Sequence, residues 1–236
     1  MKRKISVLLL AIGLTATLPI GHLFAQEKKV KASVGADLVS SYIWRGMDCG
    51  GVSIQPGMSI ETPCGLSFGT WGSVGLEKTD TKELDLYVGY SVGDFSVTVT
   101  DYWFSVYDAE NKYFKYASGE TAHVYEATLA YDFGTFSLAC NTNFAGSDYF
   151  GKDGDRSYST YIQATVPFTV GDLDMSFELG GTPAEGMYSD GANITNIGLG
   201  ASKSISVTDK LKLPAFAKIT LNPYTDKAYL TFGLSF

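Results

Sequence analysis

The chain has 236 residues, a formal net charge of -7 at pH 7 and a mean hydropathy of +0.04. That acidity argues against nucleic acid and against an anionic membrane surface as partners, and beyond the N-terminus no segment has the about eighteen apolar residues that a spanning helix needs. Fifteen Tyr, fourteen Phe and 26 Gly at near-zero hydropathy suit strands that are apolar on alternate residues only.

Lys2, Arg3 and Lys4 precede an apolar run from Ile5 to Leu18, and Leu23-Phe24-Ala25 closes the segment before Gln26. This reads as a secretory signal peptide over residues 1–25. Its removal takes away three basic groups and no acids, moving the formal charge from -7 to -10. An exported chain without membrane helices is either soluble or a closed barrel, because only helices and barrels satisfy every backbone polar group inside lipid.

Residues 26–236 then show about twelve segments of roughly ten residues with period-two alternation, the length a tilted strand needs to cross a bilayer. They cover 30–43, 52–62, 66–76, 83–92, 94–106, 122–132, 135–145, 157–167, 172–181, 196–206, 210–221 and 228–236. An even count leaves both termini on one side, the periplasm. The connections alternate too: tight turns such as Thr62-Pro63-Cys64-Gly65 and Asp132-Phe133-Gly134-Thr135 interleave with longer polar loops such as 107–121 and 182–195. Both patterns predict an all-β fold, an antiparallel transmembrane β-barrel of about twelve strands in the outer membrane, closed by the terminal strand KAYLTFGLSF. A soluble sandwich is the competing reading, and a Cys49–Cys64 disulfide would favour it, since a barrel holds those thiols at opposite ends.

On the clearest strands Leu84, Leu86, Val88 and Tyr90, or Leu173, Met175, Phe177 and Leu179, face lipid. The opposite parity is mostly Gly, Ser and Thr, which implies a narrow aqueous lumen unless a loop such as 107–121 folds inward. Asp101 falls on the lipid parity, which predicts a bulge near Thr100 or a strand end. Lys203 conflicts similarly and can snorkel. Pro56 and Pro214 each remove a ladder donor and predict bulges or strand ends.

Parity places Asp37, Glu61, Asp85, Glu126, Asp174 and Glu178 in the lumen as acids, with Arg45, Lys212 and Lys218 as bases. Such residues either pair to tie strands together or form a charged constriction that selects solutes; the excess of acid favours cations or neutral solutes. The first strand ends in Ser40-Ser41-Tyr42-Ile43-Trp44-Arg45-Gly46. On the same parity Tyr42 and Trp44 point outward to the membrane interface and Arg45 into the mouth.

The Ser-x-Tyr-x-Trp-Arg-Gly run, followed by Gln55-Pro56, resembles the opening signature of the TorF-like (Gcw_chp) family of bacterial outer-membrane proteins. The resemblance covers roughly twenty residues. It implies an outer-membrane barrel, porin-like in character, and supplies no catalytic residues. Met47-Asp48-Cys49-Gly50-Gly51 departs from the family pattern in carrying a thiol.

Catalysis would need partners for His123, the one histidine outside the signal peptide. Ser105 and Asn143 lie on neighbouring strands, but no GxSxG element accompanies them, and no enzyme activity is expected. Asp153-Gly154-Asp155 and Asp108 to Glu110 do not complete a calcium or zinc pattern, so no metal or cofactor is expected. Loop aromatics such as Tyr113, Phe114, Tyr116, Tyr149, Phe150 and Tyr188 suit loop packing or sugar stacking. The sequence therefore predicts a passive channel for small solutes, with outer-membrane lipid, lipopolysaccharide and the barrel-assembly machinery as partners. A non-conducting barrel in adhesion or envelope structure is the alternative, and a barrel enzyme acting on lipid a third.

Overall fold

The computed structural model describes residues 29–236 apart from 111, 118, 119, 152, 153, 209 and 210. The reading of 1–25 as a signal peptide, and Asp153, lie outside the described residues. The wall is a closed barrel of twelve antiparallel strands: β1 (Lys31–Val39), β4 (Ser53–Glu61), β5 (Leu66–Gly75), β6 (Lys82–Val92), β7 (Phe95–Ser105), β8 (His123–Asp132), β9 (Ser137–Gly146), β10 (Thr160–Val170), β11 (Leu173–Thr182), β12 (Asn193–Ser206), β13 (Lys212–Asn222) and β14 (Lys227–Ser235). Each pairs with its sequence neighbour, and β14 returns to β1. Two further strands, β2 (Tyr42–Trp44) and β3 (Met47–Gly50), pair only with each other.

Alternation decides which face each residue takes. Along β6, Leu84, Leu86, Val88 and Tyr90 are exposed on the outer face, while Glu83 and Asp85 are buried inside. The same alternation exposes Ile54, Phe68, Leu129, Phe177, Leu199 and Phe232 on other strands, so a continuous apolar band encircles the barrel. That is far more exposed hydrocarbon than a soluble monomer carries. The start of β1, the end of β14 and the tight turns share one end, hereafter the turn end; the other is the loop end.

The closing seam is short. Only Asp37–Val39 pair in register with Gly233–Ser235, extended by Phe236 N–H to Ala36 O at 2.9 Å and Ser40 N–H to Phe232 O at 2.9 Å. KAYLTFGLSF is thus the closing strand, but it meets residues 36–40 and not the whole of 30–43.

Several expectations are corrected. The first segment breaks at Ser40–Ser41, and Tyr42 and Trp44 turn inward to become buried instead of facing a membrane interface. The break resets the strand parity, and the aromatic rings gain more by packing together inside than by lining the rim. No register shift occurs around Thr100 or Asp101. Asp101 keeps its outward place because His123, also outward, meets its carboxylate at 2.7 Å. The bulges fall instead at Tyr125/Glu126 and Gly180/Gly181. Pro214 lies within β13, paired with Ser204 of β12 without a register shift and just beyond the β13–β14 ladder, and Pro56 sits at an interruption of the β4–β5 ladder that leaves the register unshifted, so neither proline makes a bulge. Lys203 pairs with Asp172 in the turn before β11. The described part of the loop over 107–121 turns outward and not into the lumen: Tyr113 and Tyr116 pack against His123, and Tyr113 against Trp103, on the outer side of β7 and β8.

The lumenal glycines do not leave open space either. A Cβ at Gly69 would collide with the Tyr87 ring, one at Gly180 with Tyr161, and one at Gly233 with Phe216. Each glycine is a socket for a ring from the adjacent strand, an aromatic covering of a bare backbone. Replacing Gly180 by Val is expected to cost about 1–3 kcal/mol through overpacking, read as a lower denaturation midpoint, whereas Gly191→Val, in open space, should leave it unchanged.

Cys49, Cys64 and Cys140 are all free. Cys64 sits in the turn between β4 and β5, exposed, with the Thr62 hydroxyl 3.1 Å away holding its thiol below the usual range. In the folded protein Cys64 should react first with a maleimide and Cys49, packed against the lumenal aromatics, last; mass mapping of the labelled cysteine checks the order.

Candidate functional site

The β2–β3 hairpin is built on a two-residue turn, Arg45-Gly46, with both residues at positive φ, 51° and 82°. A tight hairpin turn of this hand favours Asn-Gly, because a side chain at positive φ is strained. Gly46 is required twice over: a Cβ there would also collide with the Thr195 carbonyl. Arg45 tolerates the strain because its side chain is held strongly.

Its guanidinium makes two hydrogen bonds to the Glu126 carboxylate, Nη1 to Oε2 at 2.5 Å and Nη2 to Oε1 at 2.9 Å, and Nη1 also donates to the Tyr188 hydroxyl. Arg45 Cζ lies 4.2 Å from the Trp44 ring centroid and 4.9 Å from that of Tyr161. Glu126, fully buried, also accepts from the Tyr102 hydroxyl at 3.0 Å and from the Thr128 hydroxyl at 3.3 Å. Charge pairing and π faces together replace the water that a guanidinium would otherwise keep. The hairpin is further tied by Asn222 Nδ2 to Gly46 O at 3.0 Å and Thr195 Oγ1 to Arg45 O at 3.3 Å.

A second ion pair lies across β12. Lys218 on β13 reaches Glu178 on β11 at 2.7 Å, and Gly198 between them is the gap it crosses. Asn196 Nδ2 donates to Glu178 Oε2 and to Gln163 Oε1, each at 3.2 Å, and the Tyr161 hydroxyl donates to Gln163 Oε1 at 2.9 Å. The two ion pairs are thereby joined through one polar chain that includes the ring beside Arg45.

Of the lumenal residues expected from sequence, the fold brings together Arg45 with Glu126 and Lys218 with Glu178. Asp85 stands beside Glu83, without a cation. Asp37, Glu61, Asp174 and Lys212 take the inner parity toward the turn end, apart from these pairs. Glu83 was missed, although it shares the parity of Asp85 two residues on; Tyr161 and Tyr102 were also legible as inner-parity aromatics. Ser105, His123 and Asn143 do not assemble: both His123 ring nitrogens are engaged, by Asp101 at 2.7 Å and the Tyr113 carbonyl at 2.6 Å, while Asn143 lies inside the barrel bonded to Asp148. Tyr188, expected at the mouth, is buried in the lumen.

Removing one member of the Arg45–Glu126 pair leaves a buried, unpaired charge, so Arg45→Ala is expected to destabilise by about 3–5 kcal/mol. The charge-free pair Arg45→Met/Glu126→Gln should recover more than half of that; equilibrium denaturation of the three proteins measures both. A family described as a bacterial protein of unknown function (Gcw_chp) matches residues 25–211. No curated protein matches the chain.

Proposed function

Since the chain belongs to the Gcw_chp family, we propose that it is an outer-membrane β-barrel that passes small solutes through a narrow lumen gated by the Tyr42–Gly50 hairpin. The observation that carries this reading is how the hairpin is held: a strained turn across the lumen, tied by one ion pair and a few hydrogen bonds to the wall. Those ties can be exchanged for water or solute when the hairpin swings aside and draws the Tyr42 and Trp44 rings out of their contacts with Trp71, Tyr102 and Tyr188. The apolar band supports a lipid environment, and the resemblance of the Tyr-x-Trp-Arg-Gly run to TorF-like outer-membrane proteins supports the same location. Lipid and lipopolysaccharide then surround the band, and the barrel-assembly machinery meets the strand ending in Phe236. The excess of lumenal acid favours cations and neutral solutes, and the role is transport without a cofactor, not catalysis.

A second reading, a permanently closed barrel with an adhesive or envelope-structural role, is favoured by the near-complete burial of Arg45 and Glu126. Planar-bilayer recording separates the two. The unmodified barrel should show small, intermittent openings, and Arg45→Ala, or Arg45→Met/Glu126→Gln where a fully folded protein is needed, should raise the open fraction several-fold with a preference for cations. Folded variants that remain silent would overturn the channel and leave the structural barrel.

A further inference from the structure

His123 is fully buried although it stands on the outer face of β8, because Tyr113 and Tyr116 of the preceding loop cover it. Its ring is held at both nitrogens: Nδ1 lies 2.7 Å from Asp101 Oδ1 on β7, and Nε2 lies 2.6 Å from the Tyr113 carbonyl oxygen. A carbonyl oxygen only accepts, so Nε2 must carry a proton. A carboxylate also only accepts, so a second proton must lie between Nδ1 and Oδ1. The imidazole and carboxylate together hold two protons, and with them the pair is electrically neutral.

That count matters because an imidazole beside an ionised carboxylate keeps one proton once the solution is alkaline. Losing one here leaves a buried negative charge and turns a ring lone pair toward an oxygen, either the Tyr113 carbonyl or the Asp101 carboxylate. The β7–β8 ladder fixes Asp101 opposite Tyr125 and Trp103 opposite His123, whereas Tyr113 belongs to no strand. The contact that gives way is therefore the one to the loop. The docked segment is favoured at low pH, while both protons are held, and is released as pH rises. The rings of Tyr113, Tyr116 and Tyr125 and the indole of Trp103 surround this pair without adding charge, since phenols are neutral where imidazole titrates. Lys115 and Glu120 of the loop pair with each other at 3.0 Å.

We infer that His123 and Asp101 form a proton-dependent clasp that holds residues 112–117 against the outer wall of β7 and β8 at low pH and frees them as the medium turns alkaline. The clasp lies outside the lumen and does not depend on the channel reading.

Limited trypsin cleavage of the folded full barrel in detergent micelles tests it. Cleavage after Lys115 is read by mass relative to cleavage after Lys29, exposed ahead of β1 at the turn end, which cancels the protease's own response to pH. Between about pH 6 and about pH 9 the ratio should rise about tenfold, the size of an ordinary coupling between a charge and a contact. His123→Phe removes both bonds and should give the high ratio at either pH. Asp101→Asn is the sharper variant: its amide can donate to an unprotonated Nδ1 and leave the Nε2 proton for Tyr113, so the ratio should stay low at both. A parent ratio that does not change with pH overturns the clasp, as does an Asp101→Asn barrel that opens like the parent. A low ratio in His123→Phe means that ring packing alone holds the segment, and overturns it too. The parent profile and Asp101→Asn decide the matter even where His123→Phe fails to fold.

Discussion

A guanidinium shut away from water dictates the interior of this barrel. Once Arg45 is placed at the tip of a short hairpin, the backbone must adopt positive φ there, Gly46 must follow it, and a carboxylate must wait on the opposite wall. Glu126 meets that demand at a bulge, where the β8–β9 register shifts beside it. Aromatic side chains from the hairpin, β7, β10 and the loop before β12 then close around the pair. The order of dependence runs from charge to turn to ring packing, and the wall supplies the positions.

The wall itself was legible because a closed sheet enforces one rule at every residue. Alternation fixed the twelve strands to within a few residues, and the placing of Thr62-Pro63-Cys64-Gly65 and its counterparts between longer loops fixed which end each belongs to. The interior was harder to read. Tyr42 and Trp44 continue the alternation of Val34 and Leu38 on paper, so nothing local announces that the chain bends at Ser40–Ser41 and changes sides. A turn carrying Arg where Asn is favoured conceals the hairpin further, since the compensation for its strain lies 81 residues away in Glu126.

Composition misled in one more respect. Small inner residues suggested open space, yet Gly69, Gly180 and Gly233 are each filled by a ring. Vacancy in a sheet is a property of pairs of strands, and single-strand patterns do not reveal it. The two ion pairs show the other side of the same point. Parity correctly put Lys218 and Glu178 inside, but only the register across β12, with Gly198 between them, makes them partners. Glu83 and Asp85 have the same parity and no such partner, which gives two similar sequence signals opposite electrostatic outcomes.

The short seam has a consequence for how such an object is made. β1 shares nine register pairs with β4 but three with β14, and the hairpin springs from the chain immediately after that seam. In a sealed cylinder the Trp44 and Tyr42 rings could enter only past the loops at the loop end. An unfinished sheet, still parted between its first and last strands, lets the hairpin fold inward on its own tether before the edges meet. The least-bonded line of the wall therefore lies where the stopper is tethered, which lets filling and closure proceed together.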